Sequence, residues 1–129
     1  MEINSSTATV DQSTEMLFSK LSQVETYKQL MPEGAQFTTI SDSQFRFKLG
    51  GMPEIGLTIS DKQPNESIFL KSSSDKISFS LRGNLTEVSA DQTKIQLHFK
   101  GDFNPMMAMM VKKPLTQFME SLISNMHKL

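Results

Sequence analysis

Hydrophobic and polar positions alternate along the middle of the chain, from residue 36 to residue 103. Four segments place a hydrophobic side chain at every second position: Phe45, Phe47 and Leu49; Ile55, Leu57 and Ile59; Ile77, Phe79 and Leu81; and Ile95, Leu97 and Phe99. A period of two predicts strands with one apolar and one polar face, which is typical of an antiparallel sheet solvated on one side. The stretches QFTTIS and ESIFLK predict two more strands. Short turn-forming sequences separate the six strands, so we expect a meander of hairpins.

One glycine stands out within this pattern. Gly83 lies inside a long strand predicted over residues 76–88. Leu85 keeps the inward position of the alternation and Val88 does not. An isolated glycine in a strand often marks a bulge, so we predict a bulge or bend at Gly83.

The period changes to a helical one near the N-terminus. EINSSTATV has the composition of a strand, but Leu17 and Leu21 are then spaced four residues apart, which indicates a helix. Ser13 is the predicted N-cap of this helix. A second short helix is predicted over Val24–Leu30. It ends there because a residue that precedes a proline, here Pro32, is disfavoured in the helical conformation.

The C-terminal segment predicts one long helix. Asn104 and Pro105 form a strong start signal, and the helix that follows is expected to run for about 24 residues, or roughly 36 Å. At about 100° per residue, the larger apolar side chains gather into one broad stripe. Its members are Met107, Met110, Val111, Leu115, Phe118, Met119, Leu122 and Met126.

Two methionines and a proline do not fit that stripe. Met106 and Met109 point to the polar side of a continuous helix. Either the first two turns are rotated relative to the rest, or the two side chains form an exposed interaction surface that covers a partner subunit, a membrane surface or the cavity mouth. Pro114 removes one backbone hydrogen bond from the helix interior and favours a kink. We therefore predict a hinge at Pro114, about which the Met-rich first half of the helix moves.

Composition sets limits on the class of protein. A chain of 129 residues is expected to form a single domain, residues 1–129. Thirteen basic and fourteen acidic residues give a net charge of −1, without the basic stripe that nucleic-acid binding requires. The longest apolar run is far short of the ~20 residues that span a bilayer. No signal peptide is recognisable at the N-terminus, so we expect a cytoplasmic protein without a transmembrane segment.

The order of the predicted elements resembles a known architecture. One strand, two short helices, six strands and a long helix make an α+β chain in which a curved antiparallel sheet of about seven strands wraps around the C-terminal helix. This order resembles the helix-grip fold of the START-like (SRPBCC, polyketide cyclase-like) superfamily. The segment TVDQSTEMLFSKLSQVETYKQLMP, residues 9–32, is similar to the superfamily's opening segment, in which a first strand leads through a polar turn into two helices that end at a proline.

Two further segments narrow the resemblance. FKLGGMPEIGLTI and NPMMAMMVKKPLTQFMESL are most similar to small bacterial members related to the G-type subunit of carbon monoxide dehydrogenase. The structural alternative is a pleckstrin-homology-like barrel, which also has seven strands and a C-terminal helix. That barrel lacks a helix pair between its first two strands, so the segment STEMLFSKLSQVETYKQL decides against it.

The resemblance implies a cavity between the sheet and the long helix. In this superfamily such a cavity often holds an apolar or amphipathic, lipid-like ligand. The residues expected to line it here are Phe47, Leu57, Phe79, Leu97 and Phe99 on the strands and Met107, Met110, Val111 and Phe118 on the helix. A methionine stripe at helical spacing often only fills gaps in a core, but methionine is also common on promiscuous apolar surfaces, which suits a helix that lines a cavity and adapts to varied guests.

Few side chains are candidates for catalysis. His98 shares the polar face of its strand, and His127 lies on the polar side of the last helical turn, so both are expected at the surface. Arg46 and Arg82 also face outward, where salt bridges on the sheet are a simpler interpretation than an anion clamp. Tyr27 is expected to pack against the helices rather than to provide a hydrogen bond at a pocket mouth.

We therefore expect no catalytic residue, no metal site and no cofactor, and we favour non-catalytic ligand binding. A second hypothesis is an accessory protein with a vestigial cavity, acting as a homodimer or on a protein partner through its Met-rich C-terminal helix. An enzyme of the cyclase or dehydratase type is a third hypothesis. It would require a buried polar cluster, for which the sequence offers no good candidate.

Overall fold

A computed structural model describes residues 1–49, 54–73 and 78–129. Within these ranges, seven strands form one antiparallel sheet. The strands are β1 (Glu2–Val10), β2 (Gln36–Thr39), β3 (Gln44–Lys48), β4 (Ile55–Gln63), β5 (Ser67–Ser72), β6 (Phe79–Ser89) and β7 (Gln92–Gly101). Their order across the sheet is β1-β7-β6-β5-β4-β3-β2. The six consecutive strands form the predicted meander, and β1 closes it by pairing with β7.

Two short helices follow β1, as predicted. Helix α1 spans Thr14–Leu21, and helix α2 spans Val24–Leu30. The hydroxyl of Ser13 accepts a hydrogen bond from the backbone N–H of Met16 at 3.2 Å, which confirms the predicted N-cap. Helix α2 ends at the predicted residue, and the next residue already has an extended backbone ahead of Pro32.

The prediction of a bulge at Gly83 is wrong. Gly83 lies in regular register between Ile68 of β5 and Leu97 of β7. The register of β6 shifts a few residues later, between Glu87 and Ser89. The irregularity thus falls where the side-chain alternation breaks, and the glycine keeps the inward position of its strand. Lys76 and Ile77, with which this strand was predicted to begin, lie outside the described residues.

The long C-terminal helix is shorter than predicted. Helix α3 spans Pro105–Ser124, a length of 20 residues, and a 3₁₀ helix over Met126–Lys128 follows it. The side chain of Asn104 accepts a hydrogen bond from the backbone N–H of Met107 at 2.8 Å, which confirms the predicted cap. At the other end, the side-chain amide of Asn125 donates to the carbonyl of Leu30 at 3.0 Å and ties the helix to α2.

The hydrophobic core lies between the sheet and the helices. One face of each long strand contributes alternate side chains, and the helices contribute their apolar stripes. The buried residues of α3 are Leu115, Phe118, Met119, Leu122 and Ile123. All five follow Pro114, so only the second half of this helix is embedded in the core.

Candidate functional site

An enclosed apolar void of about 20 Å³ lies between the sheet and the helices. Strands β5, β6 and β7 form its floor, and α1, α2 and the C-terminal end of α3 cover it. Its lining residues are Leu21, Tyr27, Leu30, Ile68, Leu70, Leu81, Gly83, Ile95, Leu97, Leu122 and Met126. A void with this lining stays dry, because water would find too few polar partners.

Gly83 accounts for part of this space. It occupies an inward position of β6, where every neighbour in the alternation carries a large apolar side chain. A Cβ atom placed on Gly83 would lie 3.6 Å from a methyl carbon of Leu97, which is ordinary van der Waals contact. The room is therefore left by a side chain that is missing, and backbone conformation does not require the glycine.

Tyr27 is the one polar side chain among the described residues that line the void. Its hydroxyl donates a hydrogen bond of 2.6 Å to the carbonyl of Leu21, and burial raises the pKa of Tyr27 far above its usual range. The group is therefore neutral and already satisfied. The hydroxyl contacts helix α1, while the ring stacks on Phe45 of β3 at 5.1 Å, so Tyr27 packs against the sheet as well as the helices. A phenol held in this way does not ionise near neutral pH, and its proton is already donated to a backbone carbonyl.

Four of the five strand residues predicted to line a cavity are packed in the core. Phe47 stacks on Phe118 with ring centroids 4.6 Å apart, and Phe79 stacks on Phe99 at 4.9 Å. Leu57 is buried in the same core. Of the nine residues predicted for the cavity, only Leu97 lines the enclosed void. A lining role for the others requires the core to open and stays a prediction.

The Met-rich half of α3 differs from the prediction at one position. Met107 and Val111 are half-buried, as expected for the inner side of the helix, but Met110 is 72% exposed. At about 100° per residue, Met110 is rotated by roughly 140° from Leu115, which lies at the centre of the buried side. The predicted stripe was therefore too wide, and assigning Met110 to it was wrong. Met110 could contact a guest, as predicted, only if the first half of α3 took a different orientation.

Met106 and Met109 are exposed, as the sequence predicted. Their exposed fractions are 75% and 83%, and together with Met110 they form a continuous patch that we call the Met-rich surface. Its use as an interaction surface remains a prediction. Large exposed apolar side chains that cluster in this way are uncommon outside binding sites.

Pro114 lies at the boundary between the two halves of α3. It has no N–H group and cannot donate to the carbonyl of Met110, so the helix lacks one bond at this point. Two residues later the hydroxyl of Thr116 donates to the carbonyl of Lys112 at 2.7 Å. The predicted hinge role of Pro114 remains a prediction, but it falls where the buried part of the helix begins.

Both histidines lie away from the void. His98, on the outward face of β7, contacts the carboxylate of Glu2 at 3.2 Å. His127 contacts the carbonyl of Ser124 at 2.7 Å. Across residues 1–49, 54–73 and 78–129, no three His, Asp or Glu side chains come close enough to hold a metal ion together.

The two arginines have different partners on the outward face. Arg46 lies 3.4 Å from the carboxylate of Glu54, so the predicted salt bridge is confirmed at this position. The guanidinium of Arg82 instead lies over the ring of Phe69, 5.8 Å from its centroid. The expectation of a salt bridge at Arg82 is therefore wrong within the described residues, where a cation–π contact takes its place.

Sequence reasoning missed most of the void. It did not single out the residues that α1, α2 and β5 contribute. Packing between distant segments decides which part of the sheet each helix covers, and the sequence does not show that packing. One signal was available, since Gly83 occupies an inward position among large apolar residues. A small residue at such a position indicates missing volume as readily as a bulge.

Comparison with known proteins identifies the fold. No protein-family model and no curated protein matches the chain. A START superfamily protein from Mycobacterium smegmatis is similar in structure, with a TM-score of 0.66 and 19% identity over 98% of this chain and 97% of that one. Norcoclaurine synthase from Thalictrum flavum has a TM-score of 0.75 and 13% identity, over 99% and 92%. The Aha1 dimer from Colwellia psychrerythraea has a TM-score of 0.63 and 16% identity, over 98% and 96%.

These likenesses show that the chain has a START-like (SRPBCC-like) helix-grip fold, and the predicted α+β fold is confirmed. Among the helices in the described ranges, none combines the length and hydrophobicity that crossing a lipid bilayer requires.

Proposed function

Starting from the START-like fold, we propose that this protein binds a hydrophobic or amphipathic, lipid-like small molecule between its sheet and α3 without catalysing a reaction. The observation that carries the proposal is the enclosed void at Gly83, which apolar side chains line and in which the hydroxyl of Tyr27 is already bonded to Leu21. Such a lining favours a guest recognised by burial with few polar contacts.

The size of the void means that a guest must create most of its own space. Ligand pockets commonly measure roughly 300–1,000 Å³, whereas this void is about 20 Å³. The first half of α3 is the element that can move at the lowest cost. It has no fully buried residue before Leu115, and it lacks a backbone bond at Pro114. Its outward movement is the change that would admit a guest between the sheet and α3.

Binding without catalysis is favoured by the chemistry of the lining. A reaction of the cyclase or dehydratase type needs a group that exchanges a proton near neutral pH. Tyr27 is neutral and already bonded, and the other described lining residues are aliphatic or thioether side chains and one glycine. The START-like fold supports apolar binding in general, and it leaves the identity of the ligand open.

Native mass spectrometry of the freshly purified protein is the first test. We expect a fraction of molecules to carry extra mass from a non-covalently bound apolar compound. The second test uses protein stripped of bound compounds and the neutral fluorophore Nile red. We expect saturable fluorescence and a rise in melting temperature, since a ligand that binds only the folded state stabilises it by about 2.7 kcal/mol at 100 times its Kd.

A pair of variants locates the guest. Gly83→Val adds side-chain volume inside the void and should weaken Nile red binding. Asn84→Val adds a similar apolar side chain at the next position of β6, on the outward face, and should bind as the unmodified protein does. If neither test detects a bound molecule, or if the two variants lose binding equally, the proposed site is wrong.

A second candidate function rests on the Met-rich surface. An accessory protein with a vestigial cavity would act through this surface, either as a homodimer or on another partner. Light scattering and pull-down assays on Met106→Ser/Met109→Ser test it. If this candidate is correct, the unmodified protein forms an assembly that the double variant loses. The double variant should still bind Nile red as the unmodified protein does. An assembly that survives the double substitution would contradict it.

A further inference from the structure

The Met-rich surface lies directly opposite the anchored side of α3. Met106, Met109 and Met110 follow the spacing i, i+3 and i+4, which places them within an arc of about 100°. Leu115 and Leu122, which are buried, lie on the other side of the same helix. The helix is therefore held to the core along one side and presents three flexible apolar side chains along the other.

These three side chains are mostly uncovered by the rest of the protein. Met106, Met109 and Met110 are 75%, 83% and 72% exposed, whereas Met119 and Met126 in the C-terminal part of the chain are 1% exposed. Keeping three large apolar side chains in water is unfavourable unless another apolar phase receives them. Their grouping on one helical turn makes them accessible together.

The charge next to the Met-rich surface has one sign. Lys112 and Lys113 follow directly and are exposed, and the chain has no Asp or Glu from residue 103 to residue 119. The next acidic residue is Glu120, whose carboxylate accepts hydrogen bonds from Ser6 of β1. The exposed half of α3 thus combines an apolar face with two exposed positive charges at its end.

We propose that the Met-rich surface and Lys112-Lys113 dock α3 onto an anionic lipid membrane. An amphipathic helix lies in the plane of a membrane when its apolar side enters the acyl boundary and its basic residues face anionic headgroups. The side chains needed for both contacts are exposed on the same short stretch, residues 105–113. This inference names a partner for the Met-rich surface, and it holds whether or not the protein binds an apolar guest.

A second copy of the chain fits the same surface less well. A symmetric pair of α3 helices would bring two Lys112-Lys113 pairs into one contact, and like charges at close range oppose association. Three methionines from each copy also provide only a small apolar area compared with the roughly 800 Å² per partner of a standard interface. An anionic membrane instead attracts the lysines and accepts the methionines.

Flotation with lipid vesicles tests the proposal on the full chain. Vesicles of neutral phosphatidylcholine are compared with vesicles that contain about 30% phosphatidylserine, to model an anionic leaflet. We expect binding to the anionic vesicles, weaker binding to the neutral ones, and a decrease as salt rises from about 0.05 M to about 0.5 M. Replacing Met106, Met109 and Met110 with Ser should weaken binding by at least about tenfold.

Matched variants distinguish binding through the Met-rich surface from non-specific adsorption to the vesicles. Met16→Ser changes another exposed methionine, on α1, and should leave binding unchanged. Lys112→Glu/Lys113→Glu should weaken binding by about fivefold for each lysine, before the added repulsion. Lys28→Glu/Lys62→Glu makes the same change of charge elsewhere and should have a much smaller effect.

Three outcomes would overturn the proposal. In the first, the unmodified protein fails to float with anionic vesicles. In the second, the triple Ser variant floats as well as the unmodified protein. In the third, light scattering shows a dimer that the triple Ser variant loses, while no vesicle binding occurs, which would assign the surface to a second copy. Nile red binding by the stripped protein, measured in parallel, reports on the apolar-ligand proposal separately.

Discussion

The ring of Phe118 on α3 stacks on the ring of Phe47 on β3, with centroids 4.6 Å apart and planes inclined by 10°. Both side chains are almost fully buried. This contact ties the long helix to a strand near the edge of the sheet that lies opposite β1 in the strand order. The hydrogen bonds from Ser6 to Glu120 tie the same helix to β1. The second half of α3 is thus fixed to both sides of the sheet.

Truncating Phe118 should therefore destabilise the whole fold. We expect Phe118→Ala to lower the free energy of unfolding by about 3–5 kcal/mol, because the substitution removes a buried ring and leaves a cavity beside Phe47. Phe118→Leu retains part of the volume and should cost clearly less. Met106→Ala, on the exposed half of the helix, should change stability by less than about 0.5 kcal/mol. Urea unfolding followed by circular dichroism measures all three, and a small effect for Phe118→Ala would contradict this role.

The fold could be predicted because its signals are local. Alternation around Phe45 and Phe47 fixed the inward face of β3, and the caps at Ser13 and Asn104 fixed where two helices start. These signals depend on neighbouring residues and on the geometry of one element, so they can be recognised without knowledge of tertiary contacts. The end of α3 was predicted less well, because the change to a 3₁₀ helix near Met126 depends on packing against α2 and β1.

The candidate site could be predicted only in part, because it depends on how distant elements meet. A helical wheel gives the direction of Met110 but not the width of the side that the sheet covers, so this residue was placed on the wrong side. The rings of Phe79 and Phe99 were correctly placed on the inner face, but no sequence pattern shows whether rings line a space or fill it. The void at Gly83 arises from helices that approach from another part of the chain.

Substituting alanine for glycine should have opposite effects on stability at two buried positions of the sheet, depending on whether there is room for a methyl group. Gly83→Ala places a methyl group in the void at ordinary contact distance, so we expect stability to rise by about 0.4–1 kcal/mol, as the unfolded chain also loses freedom. Gly101→Ala serves as the contrast. Its Cβ would lie 2.6 Å from the ring of Phe103, so the ring must shift and stability should fall by about 1–3 kcal/mol. Thermal unfolding measures both, and a destabilised Gly83→Ala would show that the void is not available space.

The bond between Ser6 and Glu120 should make stability depend on pH. Hydrogen bonds from the hydroxyl and the backbone N–H of Ser6 lower the pKa of Glu120 below its usual value of 4.5. A carboxylate whose pKa is lowered in the folded state stabilises the fold above the unfolded pKa. That contribution is lost as pH falls from about 4.5 through the lowered pKa of Glu120.

Glu120→Gln should therefore matter at neutral pH and not in acid. We expect a loss of about 1 kcal/mol or less at pH 7, because the pair is partly exposed and solvent screens it. The stabilities of Glu120→Gln and the unmodified protein should become equal as pH falls below the lowered pKa of Glu120, because the native side chain is then also uncharged. Glu87→Gln removes an exposed carboxylate from β6 and should change stability by less than about 0.5 kcal/mol. Melting temperatures measured from pH 7 down to below the lowered pKa of Glu120 test the prediction. It fails if the difference in melting temperature between Glu120→Gln and the unmodified protein is the same at every pH.

Replacing Pro114 should stiffen α3 and slow exchange with the interior. Pro114→Ala supplies the N–H that the carbonyl of Met110 lacks, so we expect stability to rise, by up to about 3 kcal/mol, the usual cost of an interior proline. If the first half of α3 must swing outward to admit a guest, both the association and the dissociation rates of Nile red should fall. Gln117→Ala, an exposed change in the same helix, should leave these rates unaltered. Stopped-flow fluorescence measures them, and unchanged rates in a stabilised Pro114→Ala variant would show that this residue is not a hinge.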